Sequence, residues 1–135
     1  MELHLRIIGV VFIILAMVHI QFPKRFNWKA DLSGLDGINR EMMYVHTFFI
    51  ALTILLMGLL CLGLPGELMH TKLGNKLALG LFVFWVTRLL FQFFGYSSKL
   101  WKGKRTETII HIVFSFLWTY VSVVFFIVFW QGRNI

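Results

Sequence analysis

The sequence predicts an all-α fold, an integral membrane four-helix bundle with a short amphipathic interfacial helix between spans one and two. Of 135 residues, 59% are hydrophobic and only 14% are charged, whereas a soluble domain is about half apolar and about a quarter charged. Four apolar runs are each long enough to cross a hydrocarbon core of about 30 Å as a helix. Lipid offers the backbone no hydrogen bonds, so runs of this kind fold as helices. We expect one membrane domain over residues 1–135.

Proline and threonine mark the expected ends of these spans. Pro23 is expected to stop the first span, because proline lacks the N–H that continues a helix. Pro65 follows the second span, and Thr106 is expected to be the N-cap of the fourth. The four spans are expected at residues 3–22, 43–64, 74–96 and 106–130.

The first connection is long and polar, but apolar residues recur in it at near-helical spacing. These residues are Leu32, Leu35, Ile38 and Met42. The pattern predicts a short amphipathic helix in the membrane interface. Phe26 and Trp28 are expected to anchor it at the headgroups, where aromatic side chains are enriched.

Basic residues distinguish the two sides of the membrane. Eight lie in the first and third connections, and four lie near the termini or the second connection. The positive-inside rule then places these two connections in the cytoplasm and both termini outside. We expect a bacterial plasma (inner) membrane protein whose basic loops contact anionic membrane lipids.

Five polar residues within the spans predict a functional site. Charged or ionisable groups in hydrocarbon are costly and usually face a bundle interior or a cavity. Following the spans in order places all five at a similar depth, near the cytoplasmic leaflet. We therefore predict one pocket bounded by His19, His46, Arg88, Gln92 and His111.

The preferred interpretation of this pocket is binding of an amphipathic ligand or a redox cofactor. Two histidines can ligate the iron of haem b axially, and Arg88 can pair with a propionate. The same residues suit a quinone or a lipid headgroup, because arginine binds carbonyl or phosphate oxygen and histidine exchanges a proton.

Two other interpretations remain open, and the sequence leaves undecided whether the protein is an enzyme. His19, His46 and His111 are a candidate ligand set for a transition metal in a membrane metalloenzyme. Alternatively, the protein is a non-catalytic accessory subunit or assembly factor that docks to a partner membrane protein. Nucleic-acid or nucleotide chemistry finds no support, because neither a P-loop nor a dinucleotide-binding glycine motif is present.

Overall fold

The computed structural model describes all 135 residues and contains helices but no strands. The helices are α1 (Glu2–Arg25), α2 (Trp28–Asp31), α3 (Gly37–Gly63), α4 (Pro65–His70), α5 (Lys72–Phe94) and α6 (Arg105–Gly132), with a 3₁₀ turn at Ser98–Leu100. Helices α1, α3, α5 and α6 are long and apolar enough to cross a membrane. The all-α class, the four long apolar helices and the short helix after the first are therefore confirmed.

Large apolar side chains remain exposed along the long helices. Phe116 on α6 is 73% exposed and Leu3 on α1 is 68% exposed. Contiguous apolar surface of this kind is unusual on a protein that faces water. Lipid tails solvate such side chains well, so the exposed faces fit a protein that lies in a membrane.

All eight ends of the four long helices differ from the predicted ones by at least one residue, and three of these differences have a clear physical meaning. Helix α1 continues through Pro23 to Arg25, because proline holds φ near a helical value and costs only one hydrogen bond in a last turn. Helix α3 begins at Gly37, so Ile38 and Met42 belong to it rather than to an interfacial helix. Thr106 is not the N-cap of α6, because that helix already begins at Arg105 and Lys104 occupies the cap position.

The chain forms two compact units. One comprises residues 3–65, and the other comprises residues 66–135 together with Met1 and Glu2. The first unit contains α2, α3 and nearly all of α1. The second contains α5, α6 and nearly all of α4.

In the first unit, α1 and α3 approach each other at two glycines. A Cβ atom built on Gly58 would lie 2.9 Å from the Gly9 carbonyl oxygen, and one built on Gly9 would lie 2.9 Å from the Gly58 carbonyl oxygen. Small residues permit this close backbone approach in membrane helices. Gly9 thus lies on the face of α1 that packs against α3.

Helix α2 packs against the start of α3 through an aromatic pair. The rings of Trp28 and Tyr44 meet edge to face with centroids 5.4 Å apart, and Trp28 is only 8% exposed. The Trp28 ring is therefore used in packing, and its expected position at the headgroups stays a prediction. Phe26, which is 53% exposed, keeps the surface position that such an anchor needs.

In the second unit, polar groups fix the start of α5. Thr71 caps the helix by accepting a hydrogen bond from the Gly74 N–H at 2.9 Å, and it donates to the Glu67 carbonyl oxygen at 2.8 Å. A side chain on Gly74 would collide with that same carbonyl, so only glycine fits there. Nearby, Asn75 Nδ2 donates to the Phe129 carbonyl oxygen at 2.6 Å and joins α5 to the end of α6.

Replacing Gly58 with alanine is expected to weaken the packing of α1 on α3. The added methyl group must push two backbones apart, which typically costs about 1–3 kcal/mol of stability. Thermal unfolding in detergent measures the loss. Gly80→Ala is the matched control, because a Cβ atom there meets nothing within 4 Å. Equal melting temperatures for the two variants would contradict the close contact.

Candidate functional site

Three of the five residues predicted to form a pocket are in contact between α5 and α6. Arg88 Nη1 donates a hydrogen bond to Gln92 Oε1 at 3.2 Å. Gln92 Nε2 lies 2.9 Å from His111 Nδ1. Arg88 and Gln92 are one turn apart on α5, and His111 lies within the second turn of α6. We call Arg88, Gln92 and His111 the Arg–Gln–His relay.

The chemistry of the relay fixes the proton on His111. A guanidinium group only donates hydrogen bonds, so the carbonyl end of the Gln92 amide must face Arg88. The amide nitrogen then faces His111 and donates to Nδ1. Because Nδ1 acts as the acceptor, the neutral ring carries its proton on Nε2.

The Gln92 side chain is protected from surroundings that would compete for these bonds. Gln92 is 7% exposed and is one of two buried polar or charged residues in the protein. A buried amide must be hydrogen-bonded to offset its desolvation. Both ends of this amide are used, which holds it in one orientation.

Aromatic rings enclose His111. Trp101 stacks on it almost in parallel, with centroids 4.6 Å apart and an interplanar angle of 8°, and Phe93 meets it edge to face at 6.1 Å. Thr108 Oγ1 donates to the Trp101 carbonyl oxygen at 2.7 Å and ties the α5–α6 connection to α6.

Trp101 is therefore a site residue that the sequence analysis missed. In the sequence this residue is only an aromatic side chain in a basic connection. Trp101 precedes His111 by ten residues and lies outside both helices. Helical periodicity gives no signal for such a contact, so only the folded connection reveals it.

Arg88 is surrounded by rings rather than by carboxylates. Its guanidinium carbon lies 5.4 Å from the Trp118 ring and 5.7 Å from the Tyr96 ring. Trp118 in turn stacks on Trp85 with centroids 4.7 Å apart. Cation–π contacts stabilise an arginine that is partly removed from water, but they leave its positive charge without an ionic partner.

An open cavity of about 340 Å³ adjoins Arg88. Phe91, Gly95 and Tyr96 complete its lining. Small-molecule sites are typically cavities of about 300–1,000 Å³ with mostly apolar walls and a few polar groups. This cavity is of similar volume but is open on one side, and its lining combines one cation with aromatic rings.

His19 and His46 lie in the other unit. The Nδ1 atom of His19 donates to the Leu15 carbonyl oxygen at 2.7 Å, and its ring contacts Phe22 with centroids 4.6 Å apart. His46 is exposed on α3. The hydrogen bonds of the relay thus join α5 and α6 only, and the predicted pocket shared by all five residues stays a prediction.

The structure gives the three-histidine metal site no support. No group of three or more His, Cys, Asp or Glu side chains is placed to hold a metal ion. Within the relay, His111 Nδ1 accepts from Gln92 and Nε2 carries the proton. A metal or haem iron needs a free nitrogen lone pair, so ligation by His111 would require breaking its bond to Gln92.

Comparison with protein-family models, with curated proteins and with solved structures gives no match.

Replacing Gln92 with glutamate is expected to move a proton onto His111 Nδ1. A carboxylate accepts from both Arg88 and His111, so Nδ1 must become a donor. Nitrogen-15 NMR of histidine-labelled protein at neutral pH measures this, with His111→Asn to assign the signals. Gln21→Glu, an exposed glutamine on α1, is the control. A protonated Nδ1 in the native protein, or an unprotonated one after Gln92→Glu, would contradict the relay.

Proposed function

We propose that this membrane protein binds an amphipathic ligand whose polar headgroup accepts hydrogen bonds at the Arg–Gln–His relay. One observation carries the proposal. Arg88 lies within a membrane-spanning helix, has no carboxylate partner and adjoins an open cavity. A charged residue within a span is costly and usually marks a functional site.

The free hydrogen-bonding groups of the relay are donors. Arg88 has five N–H groups in a planar fork, of which one is used by Gln92. Because Gln92 donates to Nδ1 of His111, the ring proton is on Nε2, and this nitrogen is a donor as well. Groups of this kind complement oxygen acceptors, such as a phosphate, a carboxylate or a quinone carbonyl.

The surroundings of Arg88 suit the apolar part of such a ligand. Phe91 is 60% exposed and lines the same cavity as Arg88. Phe94, three residues further along α5, is 84% exposed. The exposed rings offer an apolar surface to an acyl or prenyl chain. The neighbouring Arg88 offers hydrogen-bond donors to the polar headgroup of the same ligand.

The relay favours a lipid headgroup or a quinone over haem b. Axial ligation of haem by His111 needs the lone pair that Gln92 engages. A headgroup that accepts hydrogen bonds needs no such rearrangement, because it uses the donors already present.

We also infer that both termini lie outside and that the relay lies in the cytoplasmic half of the membrane. The distribution of charge supports this. Eight basic residues lie in the first and third connections, against four on the other side. Cytoplasmic loops of membrane proteins carry such an excess of Lys and Arg.

Replacing Arg88 with glutamine is expected to reduce co-purifying lipid or quinone about tenfold or more, since hydrogen bonds to charged groups contribute about 1.5–3 kcal/mol. Mass spectrometry of organic extracts from the purified protein measures the bound ligand. Lys76→Gln removes an exposed cation from the first turns of α5 and is the control. Equal ligand content in both variants and in the native protein would refute the proposed function.

The orientation has its own test. A cysteine introduced at Ser98, in a Cys61→Ser background, is expected to resist membrane-impermeant thiol reagents in intact cells. It should react once the cells are opened. An Asn134→Cys variant near the C-terminus is expected to behave in the opposite way. Labelling of the Ser98 position in intact cells would show that the topology is the opposite of the one inferred.

A further inference from the structure

We infer that the ligand is a lipid with a phosphate-monoester headgroup, held by Arg88, by the His111 Nε2–H and by the basic connection that precedes α6. This inference rests on the proposed function and narrows it to one chemical class. It draws on three observations: the local charge, the position of the basic connection and the depth of Arg88.

The end of the α5–α6 hairpin that contains the relay is strongly basic. Residues 88–111 include five Lys or Arg residues and a single carboxylate, that of Glu107. The four basic residues that follow Arg88 are all exposed: Lys99, Lys102, Lys104 and Arg105. Neither they nor Glu107 form an ion pair. The excess positive charge exceeds what one monoanionic group would neutralise.

The basic connection is held against the relay by specific contacts. The Trp101 ring stacks on His111, and the Trp101 carbonyl oxygen accepts from Thr108. Lys102 follows Trp101 directly, and Gly103 turns the chain with a positive φ of 79° that glycine adopts without strain. Lys102 is therefore the neighbour in sequence of the residue whose ring covers His111, and Lys99 lies two residues before that residue.

The depth of Arg88 suits a headgroup that stays attached to a lipid. Arg88 lies six residues before Phe94, the last residue of α5, which corresponds to about 9 Å of helix. A long arginine side chain can extend from such a position toward the headgroup region. A lipid phosphate is already at that level, whereas a free anion would have to leave water to reach it.

The number of donors selects among lipid headgroups. A phosphate monoester carries about −1.5 to −2 charges at pH 7 and three strong acceptor oxygens. Arginine binds two of these oxygens in a fork geometry, which leaves one for the His111 Nε2–H and the lysines. A phosphodiester carries one charge, and a quinone carries none, so each leaves most of the local positive charge unmatched.

The test is a titration of the full-length protein in a neutral detergent. Short-chain phosphatidic acid is the monoester probe, and phosphatidylglycerol and phosphatidylcholine with the same acyl chains are the diester probes. Decylubiquinone and inorganic phosphate complete the set. Native mass spectrometry counts bound molecules, and tryptophan fluorescence follows binding because Trp118 contacts Arg88 and Trp101 covers His111.

We expect phosphatidic acid to bind at least about tenfold more tightly than either diester, as one added charge-assisted hydrogen bond would give. This preference should disappear in Arg88→Gln and persist in Lys76→Gln. Retained helicity and elution volume identify the Arg88 variant as folded. Should that variant fail to fold, the combined Lys99→Gln and Lys102→Gln variant tests the same preference, and it should lower the preference by at least about threefold.

The remaining outcomes distinguish failure of the phosphate-monoester inference from failure of the proposed function. Equal binding of monoester and diester lipids, or a preference that survives both the Arg88 and the lysine variants, overturns the inference. Binding of inorganic phosphate as tight as that of phosphatidic acid also overturns it, because the lipid would then be unnecessary. Arg88-dependent binding of decylubiquinone alone overturns the inference and supports the proposed function. If Arg88→Gln leaves the binding of every probe unchanged, the proposed function fails as well.

Discussion

The Gln92 amide is the constraint on which the site depends. It accepts from Arg88 and donates to His111, and it can do both in one orientation only. The cation therefore determines the tautomer of a histidine on the neighbouring helix. Through this one side chain, α5 and α6 are joined by polar contact at one end of their hairpin, while Asn75 joins them at the other.

Aromatic rings surround the hydrogen bonds that join Arg88, Gln92 and His111. Trp118 and Tyr96 lie beside the Arg88 guanidinium, and Trp101 covers the His111 ring. These rings partly cover the relay without neutralising its charge. A cation that is held by rings instead of a carboxylate remains able to bind an anionic or carbonyl headgroup, and this property links the packing of the hairpin to its proposed function.

Much of the fold follows from the sequence, and part of the site does. The four apolar runs required four helices, and the spacing of Arg88 and Gln92 by four residues placed them on one face. The order of the spans predicted that His111 lies at the same depth, and in the structure His111 contacts Gln92. The same reasoning could not reveal the Trp101 stack, because a contact made by a connecting segment has no periodicity. It also misplaced the end of α1, since proline in a last turn costs too little to end a helix.

By itself, the sequence determined that this protein lies in a membrane, because hydrophobicity and length decide whether a segment can be solvated by lipid. It also determined which polar residues are exceptional within the spans. Only the tertiary structure decided that Arg88, Gln92 and His111 form one hydrogen-bonded relay, and that Trp101 covers it. Hydrogen bonds and ring stacking depend on ångström distances between side chains of different segments, and those distances are set when α5 and α6 pack together.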